Sequence, residues 1–501
     1  MMNKDSVRLL IDAVYETHWD HFKEHFGKTI AGFFSDEPEL GNGHLYDVNN
    51  QLGTDIDLPF SKDLEAELEK SLGDWKSKIH LLWDNSAPEG SDSEKETAKV
   101  RLAYMNAVTT LVRDCFSYQV GDWCRSHGVS YIGHSIEDNG EHARTGSGLG
   151  HYFRGLEGQD FAGIDDIGGQ VYPQGEEDFT PDFKGEPRNA TFYHFMLGRL
   201  GSSAANIERQ KNGRALCEIF GNYGWTEGVQ LEKYLLDHFI SRGINYFVPH
   251  AFSPKAFPDP DCPPHFYAHG HNPQYRHFGA LMQYTNRVCT LLSSGVRVSD
   301  VALLYHAEGE WTGDYIPNEQ TARILEENQI SFDIVPFDYF NPDKKYVPRN
   351  YKALVVPCER LIPETGLPVI KASDNVLEKL EELGLPKIKT NHQSPYLSVL
   401  QVEPSSFYFS SVRDVNETFN LSDICYYPVA YFFSNQGKDA YSGVVTVPSR
   451  GPCFSYNAWD NRLEAIEHQE NNGSTDLKVF LEPSKSLIII FGDPQGLPVW
   501  S

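Results

Sequence analysis

Five short apolar runs recur in the first half of the chain, and every one of them ends in ionisable side chains. GFFSDEP ends at Asp36 and Glu37, VSYIGHS (129–135) at His134, FAGIDDI (161–167) at Asp165 and Asp166, RALCEIFG (214–221) near Glu218, and INYFVPHAF (244–252) near His250. Apolar runs of this length suit strands buried on both faces, and the helical stretches between most of them supply the crossovers that parallel strands require. In a parallel (β/α) barrel the site is built at the C-terminal strand ends, so five polar ends in series predict a lined site.

The remaining pattern predicts accessory units. Residues 6–26 place Leu9, Leu10, Ala13, Val14, Trp19, Phe22 and Phe26 near helical spacing, as an amphipathic helix would. Residues 62–128 read as mostly helical, interrupted by a solvated Ser/Glu/Asp-rich loop at 84–96. VALLYH (301–306), a helix at 319–328, SFDIVPF (331–337) and YKALVVP (351–357) predict a second, flavodoxin-like α/β unit with its own core. From about 396 the runs PVAYFFSN, GVVTVP, DLKVFLEP and SLIIIFGD predict a β-sandwich. The expected division is therefore 1–292, 293–395 and 396–501.

Charge and cysteine usage narrow the function classes. With 70 acidic against 43 basic residues the formal charge is -27, which repels phosphate backbones and anionic lipid surfaces, so no nucleic-acid partner is expected. Neither an apolar signal core nor a membrane-length apolar run is visible, and no membrane partner is expected. Eight dispersed cysteines without a CxxC pair fit a reduced, cytoplasmic protein. Walker, GxGxxG and GxSxG motifs are missing, which argues against NTPase, dehydrogenase and esterase chemistry.

Two strand-end acids in apolar contexts, Glu37 and Glu218, match what glycosidic cleavage needs: one carboxyl to protonate the leaving oxygen, the other as nucleophile or water-activating base. FFSDEPELG, the long helical insertion, GVSYIGHS, FAGIDDIG, LCEIFGNYGWTEGVQLEKYLLDHFISRGINYFVPHAFS and VSDVALLYHAEGEW resemble the bacterial family 106 glycoside hydrolases, known for α-L-rhamnosidase activity. The resemblance covers most of the chain, and the domain order is similar to clan A hydrolases. It implies an eight-stranded TIM-type barrel with GFFSDEP as strand four and RALCEIF as strand seven, which makes Glu37 the general acid and Glu218 the nucleophile or base. On that count strands one to three have no counterpart, and an open barrel edge closed by a longer gene product, a second chain or a rearrangement is expected.

Supporting roles follow. Asp36 is expected to bind sugar hydroxyls or raise the pKa of its neighbour, and His134 and His250 to contact hydroxyls or charged intermediates. Tyr223 and Trp225, after Glu218, offer flat faces for stacking on sugar C–H surfaces. Asp165 and Asp166 could bind a hydroxyl or, as the resemblance implies, calcium, but no compact ligand loop supports an ion and no cofactor or metal is expected. His265, His269, His271 and His277 offer an HxxxHxH pattern without the helical HExxH frame, which suits a cleft rim better than zinc. The reading is a hydrolase acting on a terminal sugar, with a noncatalytic carbohydrate-binding homologue and a metal-dependent hydrolase as alternatives. The middle unit is assigned a scaffold or homo-oligomerisation role.

Overall fold

The computed structural model describes residues 1–43, 50–136, 140–177, 188–293, 295–341, 346–391, 394–404, 429–492 and 499–500. Five strands open the molecule: β1 (Gly32–Ser35), β2 (Ser130–Gly133), β3 (Ala162–Ile167), β4 (Ala215–Gly221) and β5 (Tyr246–Pro249). β1 pairs with β2, and β3 with β4 and β4 with β5, all parallel. Between β2 and β3 the ladder is replaced by a clasp, in which Asp160 N donates to Tyr131 O (2.7 Å) and the Asp160 carboxylate accepts from Tyr131 N (2.8 Å). The strands therefore follow one another in chain order, as the sequence runs predict.

The β2–β3 approach is set by two glycines. A Cβ on Gly163 would lie 1.7 Å from the carbonyl oxygen of Gly133, and Gly133 itself takes φ 145°, which a side chain rarely adopts. Asp165 and Glu218 face each other in register across β3 and β4, because side chains alternate along strands with a period of two.

Helices fill the crossovers. Residues 92–126 are helical throughout, and the start is capped by Ser91, whose hydroxyl accepts from Glu94 N at 3.1 Å. That cap shortens the expected loop at 84–96 to 84–91, since acids in a first turn favour a helix and need not signal a solvated loop. The N-terminal helical residues 4–25 bury Val7, Ile11 and Tyr15, while Leu9, Leu10, Val14 and Phe22 are exposed. Burial thus follows the i, i+4, i+8 row and leaves much of the expected apolar face in solvent. No described helix is long and apolar enough to cross a membrane.

After β6 (Gly295–Arg297) the chain forms β7 (Val301–Leu304), β8 (Phe332–Val335), β9 (Ala353–Val356) and β10 (Val369–Lys371), a parallel sheet of order β10-β9-β7-β8. It does not keep a separate core. Ile164, Leu200, Val301, Ile334 and Leu354 belong to one continuous buried cluster. The helix Gly198–Ile207 is buried along its whole length and is the reason: Arg199 pairs with Glu326 at 2.6 Å, Ser203 accepts from Ile334 N at 2.9 Å, and Asn206 donates to Asp333 at 2.8 Å.

The C-terminal part contains β11 (Lys389–Thr390), β12 (Leu397–Pro404), β13 (Val429–Asn435), β14 (Tyr441–Val447), β15 (Cys453–Asn457), β16 (Arg462–Ala465), β17 (His468–Asn471), β18 (Ser474–Leu481), β19 (Ser486–Phe491) and β20 (Val499–Trp500). They form two sheets, β11-β14-β18-β17 and β20-β16-β15-β19-β13-β12-β6, antiparallel but for the β16–β20 pair. Tyr431, Phe433, Ile489 and Phe491 face Val445, Leu477 and Val479 of the smaller sheet. The alternate residues Phe432, Ile488 and Ile490 join the main core instead, so the larger sheet is buried on both faces.

Gly163→Ala should lower unfolding stability by about 3 kcal/mol in denaturant titration, since overpacking against backbone has no flexible neighbour to yield. Gly279→Ala, in the exposed interior of the helix Tyr275–Ser293 where the new methyl meets nothing within 4 Å, should raise it by roughly 0.5–1 kcal/mol.

Candidate functional site

His134 is the hub. It follows β2, is 1 % exposed, and its Nε2 lies 3.0 Å from Glu218 Oε2 and 3.4 Å from Asp36 Oδ1. Donor atoms of Asp36, His134 and Glu218 lie within 4.8 Å of one another, and so do those of Glu37, His134 and Asp165. Five ionisable groups from the ends of four parallel strands thus meet at one imidazole. Phe34 closes one side, its ring 5.5 Å from the imidazole and steeply tilted to it.

The electrostatics follow from burial and crowding. Burial alone would push the His134 imidazole down, but the hydrogen bond to Glu218 and the charges of Asp165 and Glu218 outweigh it and raise the pKa to about 9. His134 is therefore an imidazolium at neutral pH. Asp165 is held well above the usual carboxylate range, first by desolvation, then by Glu218 and Glu37, with His134 opposing. Glu218 takes the imidazole as its hydrogen-bond partner. Glu37 is partly exposed and has φ 39°, a left-handed conformation that costs a non-glycine residue roughly 1–2 kcal/mol. Asp36 points outward, with its side chain 74 % exposed.

Not every expected residue joins this cluster. Strand alternation sends Asp166 to the opposite face of β3, where its carboxylate accepts from Tyr223 OH at 2.9 and 3.0 Å; burial raises its pKa to about 8. Tyr223 is tied there through its phenol, which also accepts from Val171 N at 3.1 Å, and so serves as a loop anchor. Because Asp165 and Asp166 face apart, they do not fit a shared calcium ion, which needs converging oxygens. Trp225 is 44 % exposed, edge-on to Phe257 at 5.7 Å and to His265 at 5.8 Å. His250 ends β5 beside Gly221, whose added Cβ would meet His250 Nδ1 at 3.2 Å.

The histidine-rich loop does not converge. His265 Nε2 bonds Asp261 O (2.8 Å), His269 Nε2 bonds Lys255 O (2.7 Å), His271 stacks on Phe257 at 4.2 Å, and His277 accepts from Arg276 Nε (3.1 Å). The first three are spent on loop structure and His277 on its helix neighbour, and among the described residues no metal-sized group includes one. One neighbour had no sequence signal: Cys262, whose thiol pKa is raised by burial and by Asp261, and which also feels Asp165.

No protein-family model matches the chain, and no curated protein matches it significantly. Among solved structures, the rhamnosidase from Novosphingobium sp. PP1Y is similar with a TM-score of 0.68 at 14% identity, over 98% of this chain and 47% of that one. The β-galactosidase from Bacillus circulans sp. alkalophilus is similar at 0.54 and 12% identity, over 98% of this chain and 82% of that one. The exo-carrageenase from Bacteroides ovatus is similar at 0.52 and 10% identity, over 91% and 66% respectively. The likeness is one of fold, shared with glycoside hydrolases, and the chain spans about half the length of the rhamnosidase.

The raised pKa of His134 has a measurable sign. A histidine protonated more readily when folded stabilises fully below its ordinary value near 6.5, and that stability is lost as pH rises through about 9. Asp165, also raised, acts in the same direction at lower pH. Imidazole NMR should show His134 titrating near pH 9, and in Glu218→Gln the midpoint should fall toward the ordinary value. A midpoint that stays put in that variant would refute the pairing.

Proposed function

We propose that the chain is a glycoside hydrolase that removes a terminal sugar, with Glu37 as general acid and Glu218 as nucleophile or water-activating base. One observation carries the reading: four acids from three strand ends gather at one buried imidazole from a fourth, at the mouth where parallel strands end. His134 orients Glu218 through their 3.0 Å hydrogen bond for attack on the anomeric carbon or on water. Glu37 delivers its proton to the leaving oxygen, and Asp165 stands beside it and His134 at the same mouth.

In this reading β1 to β5 are strands four to eight of a TIM-type barrel. Two facts support it: among the described residues β1 pairs only with β2 and β5 only with β4, and Leu9, Leu10, Val14 and Phe22 present apolar surface to solvent. The similarity in fold to a rhamnosidase makes an α-L-rhamnoside the first substrate to test. The same unpaired strand edges favour a second reading, a homologue that binds carbohydrate without turning it over.

A panel of aryl glycosides decides between them. Glu218→Gln should lower kcat by about 10²–10⁴-fold on every substrate turned over. Glu37→Gln should cost as much on poor leaving groups and far less on dinitrophenyl glycosides, which depart without protonation. Equal turnover by wild type and both variants would sink the assignment, and binding without turnover by the wild type would establish the second reading.

A further inference from the structure

A cavity of 490 Å³ opens beneath β4 and β5, at the end of the strands opposite to the His134 cluster. Its walls come from all three parts of the chain: Ala205 on the helix Gly198–Ile207, Ile244 in the turn before β5, Val296 on β6, Val347 in the stretch before β9, and Leu400 and Val402 on β12. The volume is within the range of about 300–1,000 Å³ typical of small-molecule sites, and apolar walls with a few polar groups are the usual lining of such sites.

The charged groups around it are unequally committed. Arg297 is spent on the protein, donating to Phe332 O at 2.8 Å and to the Asp333 carboxylate. Arg349, half-buried, donates through Nε (3.1 Å) and Nη2 to Asn206 O, which leaves Nη1 without a partner among the described residues. Unlike Arg297 Nε, that nitrogen is not sealed from solvent. Arg209 is exposed, and its side chain makes no hydrogen bond or ion pair with any described residue. Glu208 is the one acid among the described lining residues, but both of its oxygens are buried and Lys211 Nζ lies 3.2 Å from it. In a chain with 70 acidic against 43 basic residues, two arginines without an acid on one cavity are a local reversal of charge.

The lining selects the class of ligand. A cation is opposed by the guanidinium groups, and a bare inorganic anion leaves the apolar walls uncovered. Arginine donors suit a carboxylate, which can accept from two N–H groups at once, while the aliphatic walls suit a hydrocarbon body. We propose that this cavity is a noncatalytic binding site for an amphipathic monocarboxylate, its apolar body against Ile244, Val296 and Leu400 and its carboxylate on Arg209 and Arg349. The site uses none of the residues of the Glu37 and Glu218 chemistry and stands whether or not that reading holds. Because its walls join three parts of the chain, an occupant that binds only the folded state also stabilises their junction.

Octanoate and cinnamate are the probes, with 1-octanol and cinnamyl alcohol as uncharged counterparts and inorganic phosphate as an anion without an apolar body. Isothermal titration of the full chain should give saturable binding of a carboxylate, and the same ligand should raise the thermal midpoint. Tighter binding of octanoate supports the proposal with an aliphatic body, and tighter binding of cinnamate supports it with an aromatic one. Affinity for the carboxylate should fall roughly tenfold or more in Arg209→Glu, in Arg349→Ala and in Val347→Trp, which fills the cavity from a half-buried wall position. Arg209 holds nothing in the fold, so Arg209→Glu remains informative should Arg349→Ala fail to fold. Absence of binding by both carboxylates, equal affinity for the alcohols or for phosphate, or affinity indifferent to Arg209→Glu would each overturn the proposal.

Discussion

The close passage of β2 against β3 is the constraint on which the site depends. Asp36, Glu37 and His134 come from the β1–β2 pair, whereas Asp165 and Glu218 come from the β3–β4–β5 sheet, and the two are joined where the Gly133 carbonyl fits into the space a side chain at 163 would occupy. Asp160 fastens the same seam by bonding both backbone polar groups of Tyr131. A seam wider by one methyl would separate His134 from Glu218, whose contact is a hydrogen bond of 3.0 Å. Chemistry at the top of the strands is thus underwritten by glycine in their interior.

Charge is the second organising quantity. A site with four acids around it would ordinarily relieve repulsion by protonating several of them. The arrangement also places a base among them: His134 is raised to about 9 and hydrogen-bonded to Glu218, while burial holds Asp165 above the usual carboxylate range.

The strands and their polar ends were legible in the sequence because buried parallel strands are written as unbroken apolar runs, and all five runs in the first half are strands in the structure. The hub role of His134 was not legible, because nothing local distinguishes an imidazole shared by several carboxylates from one contacting a hydroxyl. Asp165 and Asp166 looked interchangeable, and only the register against Glu218 tells which faces the cluster. The N-terminal helix forms where the sequence places it, but its buried face was misread for a related reason: Leu9, Leu10 and Val14 carry the periodicity, whereas Val7, Ile11 and Tyr15 carry the contacts with Phe26 and Trp123. Periodicity reports that a face is apolar and is silent on which neighbour covers it. The expected separate core of the middle unit failed because interunit polar bonds, made by Arg199, Ser203 and Asn206, leave no trace in hydrophobic patterning.

Those interunit bonds bear on the site as well. The helix Gly198–Ile207 packs between the strands that carry Asp165 and Glu218 and the β8 strand of the neighbouring sheet, and an added Cβ at Gly201 would touch Ile164 at 3.2 Å. Its other face is held by the buried Arg199–Glu326 pair and by Asn206 on Asp333, which also accepts from Tyr351 OH at 2.8 Å and pairs with Arg297. Removing one member of a buried pair costs about 3–5 kcal/mol because the other charge is stranded, so this helix is costly to displace. The accessory sheet therefore acts on the candidate chemistry without touching it: by clamping the helix behind β3 and β4, it fixes the backbone from which Asp165 and Glu218 reach His134.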